Sequence, residues 1–402
     1  MNLFKSLNFC ILFVGRTINN LGDSLYYVLS MWFIYHSTHS SYYSGIAGFL
    51  ILLPESFQFL VGPIITKYSP KGILIIVQIM QSFLLLVIPL LAALDHLNIY
   101  FLLTCIFFSS IFNQFNYPTH VSLLPYIVQK QDLTRANSLF TIAYQGTDTL
   151  FNSISGLLLS MIGAMYLYLY NSILFILVAF IFLFLRIPKT NQNISSISFK
   201  SYLTTLYNSF KFVFSTIVIK FLIGFVILNL TTGIILTILP AYALNKGGES
   251  YFYGFYLTSL SIGVLLGALV ANYFDRFHLG KLHISMFLFS CFCFILFIYS
   301  NIIWSLVFFS LTWTTFGISN VLLLTSAQKI IKTHELGNIY TIINSISIAA
   351  MPFGSLLAGI LSRYIDIHTI MIICAFLFFI VSLVWFIVKD LRTLPKSDNI
   401  KL

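Results

Sequence analysis

Four charged side chains lie well inside long apolar stretches of the sequence. They are Arg16, Asp23, Glu55 and Asp148. A charged group in hydrocarbon is costly, so each is expected to face a partner or a water-filled cavity. Desolvation favours the protonated form of an unpaired carboxyl group, whereas a nearby arginine favours the ionised form. We therefore predict reversible proton binding at Asp23, Glu55 and Asp148, with Asp23 and Glu55 the better carriers.

The elements that must position these residues are long apolar helices. Of the 402 residues, 59% are apolar and 8% are charged, against roughly 25% charged in soluble domains. The continuous apolar runs exclude both a soluble fold and the alternating pattern of a transmembrane barrel. We predict an all-α polytopic membrane protein with twelve transmembrane helices, near residues 8–35, 42–66, 72–94, 98–127, 139–163, 166–186, 217–243, 251–274, 282–301, 303–331, 337–362 and 367–388.

The spans divide into two bundles of six, with a polar connection between them. We predict an N-terminal bundle at 1–186, a cytoplasmic linker at 187–216, a C-terminal bundle at 217–388 and a cytoplasmic tail at 389–402. Within the linker, apolar residues recur at spacings of three and four and predict an amphipathic helix lying on the membrane surface. These residues are Phe199, Leu203, Leu206, Phe210 and Val213.

The distribution of basic residues predicts the orientation. If the N-terminus is cytoplasmic, all of the 21 basic residues except Arg16, Lys246 and Arg363 lie in cytoplasmic segments. The positive-inside rule therefore places both termini in the cytoplasm. The net charge of +10 is then a topology signal with a contact to membrane lipid headgroups, and we expect no nucleic-acid partner.

Short motifs at span ends and in loops carry a family resemblance. They are Gly15–Arg16, Leu21–Asp23, Leu53–Pro54, Pro118, Leu124–Pro125 and Gln131–Leu139 in the first half, and Gly337, Pro352, Gly354 and Gly359 in the second. Their order and spacing resemble one branch of the major facilitator superfamily, the branch that contains macrolide-efflux and enterobactin-exporter proteins. The resemblance covers essentially the whole chain and implies the major facilitator fold.

That fold would place spans one, four, seven and ten at the centre. The resemblance therefore implies a substrate cavity lined by polar and aromatic residues of these spans and of span five. They are Asn19, Asn20, Tyr27, Asn113, Gln114, Asn116, Tyr144, Asn229, Thr232, Trp313 and Asn320. Apolar walls with a few amides suit a sizeable amphiphilic organic molecule.

The same fold makes spans one and five neighbours. Arg16 and Asp148 lie at similar depths, roughly 12 and 14 Å from the cytoplasmic end, so we predict that they form an ion pair. The pair could couple to transport or could only hold two helices together. Asp23 could likewise be a packing and hydrogen-bonding residue beside Gly22 rather than a proton carrier.

Members of the superfamily typically carry a glycine, an aspartate–arginine pair and further basic residues between spans two and three. Here the stretch runs from Gly62 to Lys67, and Thr66 replaces the aspartate. The matching loop of the second half keeps the pair as Asp275 and Arg276. We predict an asymmetric cytoplasmic gate at these residues, with a solvated loop pair of little energetic weight as the alternative.

One departure weakens the inference of antiport. Antiporters of the superfamily often place a glycine–proline pair in span five, where this sequence has Asn152 and Ser153. His120 and His334 have no second ligand at metal spacing, and no phosphate-binding glycine loop is present. We expect no metal, no cofactor and no enzymatic activity, with the proton gradient as the energy source.

The sequence thus favours a secondary active transporter in a bacterial plasma membrane. We expect a monomer that exports a siderophore or a macrolide-like drug by alternating access as a proton-coupled antiporter. An uptake transporter of the same fold is the nearest alternative, because fold does not fix direction. A non-transporting sensor or an intramembrane enzyme is the weaker one, because an enzyme would need several titratable groups at one cleft.

Overall fold

The computed structural model describes residues 3–129, 132–186, 204, 207, 210–211, 213–214, 218–247, 249–274, 276–330 and 336–396. Every regular element in these ranges is a helix. The chain forms two compact units: unit 1 comprises residues 1–37 and 50–202, and unit 2 comprises residues 38–49 and 203–402. The bundle boundaries predicted from the sequence stay a prediction.

Unit 1 contains the helices of the first half. After a 3-10 turn at Leu3–Lys5 they are α1 (Leu7–Thr38), α2 (Ser41–Ser56), a 3-10 helix (Gln58–Val61), α3 (Gly62–Lys67), α4 (Pro70–Ala93), α5 (Ile99–Asn113), α6 (Asn116–Ile127), α7 (Leu133–Ile162) and α8 (Ala164–Leu183). Helix α4 packs against α5, α6 and α8. Helix α2 is divided between the units, because its residues up to Phe49 belong to unit 2.

Unit 2 contains the helices of the second half. They are α9 (Val218–Asn245), α10 (Ser250–Phe274), α11 (Leu279–Tyr299), α12 (Ile302–Ile330), α13 (Leu336–Ile348), α14 (Ala350–Leu361), α15 (Ile367–Ile387) and α16 (Lys389–Arg392). The main packed pairs are α10 with α12, α9 with α14, and α11 with α15.

Side-chain caps explain where several helices begin. Ser69 accepts a hydrogen bond from the backbone N–H of Gly72 at the start of α4, where Pro70 takes the first helical position. Asn98 caps α5 and Asp366 caps α15 in the same way. Each cap satisfies a backbone N–H that has no partner inside its helix.

Glycines allow α10 and α12 to approach closely. A Cβ atom added at Gly263 or Gly267 would collide with backbone carbonyl oxygens of α12, and one at Gly317 would collide with the backbone of α10. Membrane helices associate through such small residues because lipid removes the hydrophobic driving force. The second unit is therefore held by backbone-to-backbone contact as well as by its aromatic core.

Nine segments of the described chain are long and apolar enough to cross a membrane. They include Ile99–Leu124, which joins α5 and α6. Helices α1, α2 and α7 are not among the nine. Helices α1 and α7 are long enough but contain charged and amide residues, and α2 ends after Ser56. A polytopic helical membrane protein is thus confirmed, whereas twelve spans and cytoplasmic termini stay predictions.

Of the predicted linker helix, the few described positions, such as Phe210 and Val213, are helical.

Candidate functional site

The polar face of α1 begins the candidate site. Asn19 and Asp23 lie one helical turn apart, and Nδ2 of Asn19 donates to Oδ2 of Asp23 at 2.7 Å. Asn19 is fully buried, and Asp23 is partly buried. The carboxyl group predicted to bind protons is therefore oriented by an amide of its own helix.

Gln78 of α4 links this pair to the neighbouring helices. Its Nε2 donates to Oδ1 of Asn19 and, at 3.0 Å, to Oδ1 of Asn116 in α6. Nδ2 of Asn116 in turn donates to Asn113 at 3.0 Å and to Gln81 at 3.3 Å. Gln78, Gln81 and Asn116 are at most 1% exposed. We define the amide network as Asn19, Asp23, Gln78, Gln81, Asn113 and Asn116.

Each glutamine of the amide network keeps one buried atom without a hydrogen bond to the residues that the structure describes. These atoms are Oε1 of Gln78, an acceptor, and Nε2 of Gln81, a donor. A buried polar atom without a partner costs about 1–3 kcal/mol. A polar group that reached these atoms would therefore be bound at a gain in free energy.

Gln78 and Gln81 were not among the residues predicted from the sequence. A signal was present, since two glutamines three residues apart in an otherwise apolar run must share one helix face. They are uncharged, however, and α4 is not one of the spans that the family resemblance places at the centre of the fold. The structure places α4 directly beside α6 and so makes its glutamines the hub of the network.

Replacing Gln78 with methionine is expected to destabilise unit 1. Methionine fills a similar volume but leaves the Oδ1 atoms of Asn19 and Asn116 without their donor, at about 1–3 kcal/mol each. The midpoint of thermal unfolding in detergent should fall by several degrees. Ile79→Met, at an exposed position of the same helix, is the matched control, and equal midpoints for the two variants would contradict the importance of the network.

Two helix interruptions lie beside the network. Helix α5 ends at Asn113 and α6 begins at Asn116, while α2 ends at Ser56 and a 3-10 helix follows. Nε2 of Gln58 in that 3-10 helix donates to Oε1 of Gln114 at 3.3 Å and so joins the two interruptions. Interrupted membrane helices commonly lie at the substrate and ion sites of transporters.

Glu55 lies in the last turn of α2, next to one of these interruptions. Its side chain is partly exposed and makes no hydrogen bond or ion pair with the residues that the structure describes. Among the described residues, none holds this carboxyl group in the ionised form. A change of its protonation state would therefore break no contact that the structure describes.

Helix α1 is anchored on both sides of the network. Asn20 donates to the hydroxyl of Thr147 in α7 at 3.2 Å, and Asn171 of α8 donates to the carbonyl of Gly22 at 3.0 Å. A Cβ atom at Gly22 would lie 2.9 Å from the ring of Phe175. The register of Asp23 is therefore fixed by close packing. Tyr27, another predicted cavity residue, is partly buried on the same helix.

The predicted partner of Arg16 lies outside the described side chains. Arg16 is 3% exposed, and its guanidinium lies 5.7 Å from the centre of the Tyr117 ring. The side chains of Asp148 and Tyr144, both on α7, are not among those described. The ion pair of Arg16 with Asp148 therefore stays a prediction.

The predicted cavity residues of unit 2 mainly contact their own helix or the neighbouring aromatic rings. Asn229 and Thr232 donate to backbone carbonyls four residues earlier, at 3.0 and 2.8 Å. Trp313 is 1% exposed and packs among phenylalanine rings, whereas Asn320 is exposed. The six residues of the amide network, by contrast, all belong to unit 1.

The predicted gate residues lie near helix ends. Gly62 begins α3 and Lys67 ends it. Arg276 is exposed, and its Nε donates to the carbonyl of Tyr273 at 3.0 Å, while Asp275 lies outside the described residues. Among the described residues, no three histidine, cysteine, aspartate or glutamate side chains are placed to hold a metal ion.

Comparisons with known proteins agree with this architecture. The profile of the transmembrane secretion effector family matches residues 2–401. A bacterial homologue of the human lysosomal transporter Spinster, solved in an inward-facing and unoccupied conformation, has a TM-score of 0.72 at 12% identity, with 99% of both chains covered. The nucleoside transporter NupG has a TM-score of 0.74 at 14% identity, covering 96% of this chain and 98% of its own.

A search of curated protein sequences finds no significant match. At these identities the solved structures show the fold alone, which is that of major facilitator transporters. The family profile covers nearly the whole chain. The chain therefore belongs to the transmembrane secretion effector family of the major facilitator superfamily.

Proposed function

We propose that the protein is a proton-coupled secondary transporter that exports an amphiphilic small organic molecule. One observation carries the proposal: a hydrogen-bonded path runs from the carboxylate of Asp23 through Asn19 and Gln78 to Asn116, beside the interruption between α5 and α6. A change of charge at one end of this path alters hydrogen bonding at the other, next to a helix interruption of the kind found at substrate sites of transporters.

The coupling follows from the strength of the hydrogen bonds. Ionised Asp23 accepts a charge-assisted hydrogen bond from Asn19, which is roughly twice as strong as a neutral one. Protonation weakens this bond and releases the Asn19 amide, whose Oδ1 is held by Gln78. Protonation from outside and release inside would then bias the two ends of an alternating-access cycle.

The cargo class and direction rest on separate support. The site combines amides with apolar walls, which suits an amphiphilic organic molecule such as a siderophore or a macrolide-like drug. The matching family is described as secretion effectors, which favours export over uptake. One pH unit supplies about 1.4 kcal/mol per proton, enough for a roughly tenfold gradient of cargo.

The proposal is tested by transport into liposomes that contain the purified protein. The probes are a radiolabelled macrolide and a catecholate siderophore. An antiporter accumulates a probe when the vesicle interior is acidic, and a protonophore abolishes the accumulation. Accumulation only with an acidic exterior would indicate symport and uptake. No movement of either probe under either gradient would contradict the proposed cargo.

Glu55→Gln is expected to reduce this proton-driven accumulation several-fold. Glutamine keeps the size of the side chain but cannot bind or release a proton. Exchange of labelled for unlabelled probe without a pH gradient should persist. Glu249→Gln, at an exposed position before α10, is the control. Unchanged accumulation by Glu55→Gln would remove Glu55 from the mechanism.

A further inference from the structure

An apolar groove runs along the outside of unit 1 where the second helix is interrupted. The 3-10 helix and α3 replace a continuous helix between Ser56 and Lys67. Two cavities of about 360 and 340 Å³ lie along this segment, and both are lined by Ile64 and Phe115. We call this feature the α3 groove, defined by Phe57, Leu60, Ile64, Tyr68, Ile76 and Phe115.

The side chains of the α3 groove are strongly exposed for a hydrophobic surface. Phe57, Tyr68 and Ile76 are each more than half exposed, and Leu60 is 44% exposed. In a membrane protein an exposed apolar surface contacts lipid chains. Each cavity has the volume of a small-molecule pocket, so a flexible hydrocarbon chain can fill it.

One end of the groove is positively polarised. Lys67, the last residue of α3, is exposed and lies 5.5 Å from the ring of Tyr68, which lines the groove. The described side chains place no carboxylate against Lys67. Its charge is therefore available to an anion from outside the protein.

The start of α4 adds to this charge. Ser69 and Gly72, in its first turn, line the same cavity. The N-terminus of a helix carries a partial positive charge that attracts anions, although here Pro70 has no N–H and the N–H of Gly72 already bonds to Ser69. Lys71 adds a further charge, although its ammonium group already donates to the carbonyls of Leu183 and Leu185 at 2.7 and 2.8 Å.

We propose that the α3 groove binds one anionic phospholipid of the surrounding membrane. The phosphate lies at Lys67 and the start of α4, and one acyl chain lies along Ile64 and Ile76. The apolar lining matches the chain, and the positive end matches the headgroup. The lipid fills the space left by the interrupted helix and so holds α3 against α4. This inference does not depend on the transported cargo.

The test uses the purified full-length protein with a mixture of equal amounts of phosphatidylglycerol and phosphatidylcholine in detergent micelles. Native mass spectrometry counts the lipids that stay bound. The wild-type protein should retain phosphatidylglycerol over phosphatidylcholine. Lys67→Gln should lower that preference about fivefold, the effect of one lysine near an anionic surface, whereas Lys5→Gln, at another exposed lysine of unit 1, should not.

A second pair of variants tests the acyl-chain position. Ile76→Trp fills the groove and should lower retention of phosphatidylglycerol, while Ile79→Trp, exposed on the same helix outside both cavities, should retain it. Gel filtration should show a single monodisperse peak for both variants. Equal retention of the two lipids by the wild-type protein would overturn the proposal, as would full retention by Ile76→Trp. Displacement of the lipid by the macrolide probe would also overturn it, because the groove would then bind cargo.

Discussion

Asp23→Asn is expected to abolish proton-driven accumulation of the probe and to leave probe exchange intact. Asp23 is the titratable member of the amide network, and asparagine keeps its size and its ability to accept a hydrogen bond from Asn19. The variant cannot bind or release a proton, so the pH gradient no longer biases the transport cycle. Accumulation should fall to the level of protein-free liposomes, whereas exchange needs only the cargo site.

The control for this prediction is Asp95→Asn. Asp95 lies in an exposed turn with a positive φ of 55°, a conformation that asparagine adopts readily. It should accumulate the probe like the wild-type protein. If Asp23→Asn pumps at full rate, Asp23 is not the proton carrier. If it loses exchange as well while staying monodisperse, Asp23 is a packing residue beside Gly22.

Gly45→Leu is expected to abolish both accumulation and exchange while the protein still folds. Within unit 2, the first part of α2 packs directly on α14. A Cβ atom at Gly45 would lie 2.5 Å from Cα of Gly359 and 2.9 Å from the carbonyl oxygen of Ser355. Because these are backbone atoms, the helices must move apart to accept a side chain.

Further contacts join the first part of α2 to its neighbours in unit 2. The hydroxyl of Ser355 bonds to that of Thr237 in α9 and donates to the carbonyl of Gly45. The guanidinium of Arg363 lies 3.3 Å from the centre of the Tyr42 ring, a cation–π contact. Since α2 continues into unit 1 after Phe49, we expect a disturbance of this packing to impair the proposed transport cycle.

Ile46→Leu, the next position of the same helix, is the matched control, because it conserves volume and is only partly buried. Arg363→Gln removes the cation–π contact and should slow transport by a smaller factor than Gly45→Leu. Gel filtration and the thermal midpoint verify folding. Normal exchange by Gly45→Leu would show that this packing does not take part in the cycle.

Several features of the site were predictable from residue type alone. Burying a carboxyl or amide group in hydrocarbon costs free energy. Asp23, Glu55, Asn19 and Asn116 were therefore expected to contact a partner or the cargo. The structure shows three of them in one network and leaves Glu55 without a described partner. Which of them share a network depends on the side-by-side packing of α1, α4 and α6, which no local pattern specifies.

The interruptions of α2 and α5–α6 were not predicted as such. Pro54 and Pro63 flank one interruption, and proline disrupts a helix but does not say whether the helix bends, breaks or continues. The α3 groove exists because the helix breaks here. A continuous helix would leave less room beside α4. The groove therefore appears only once the helices are packed.

The sequence by itself determined that this chain is a helical membrane protein of the major facilitator type. Composition, run length and the ordered loop motifs are properties of the chain that hold in any packing. The tertiary structure decided that Gln78 joins Asn19 to Asn116, that α2 is shared between two units, and that Lys67 lies beside Tyr68 of an apolar groove. These depend on contacts between helices far apart in sequence, whose azimuth and depth are set by packing rather than by local periodicity.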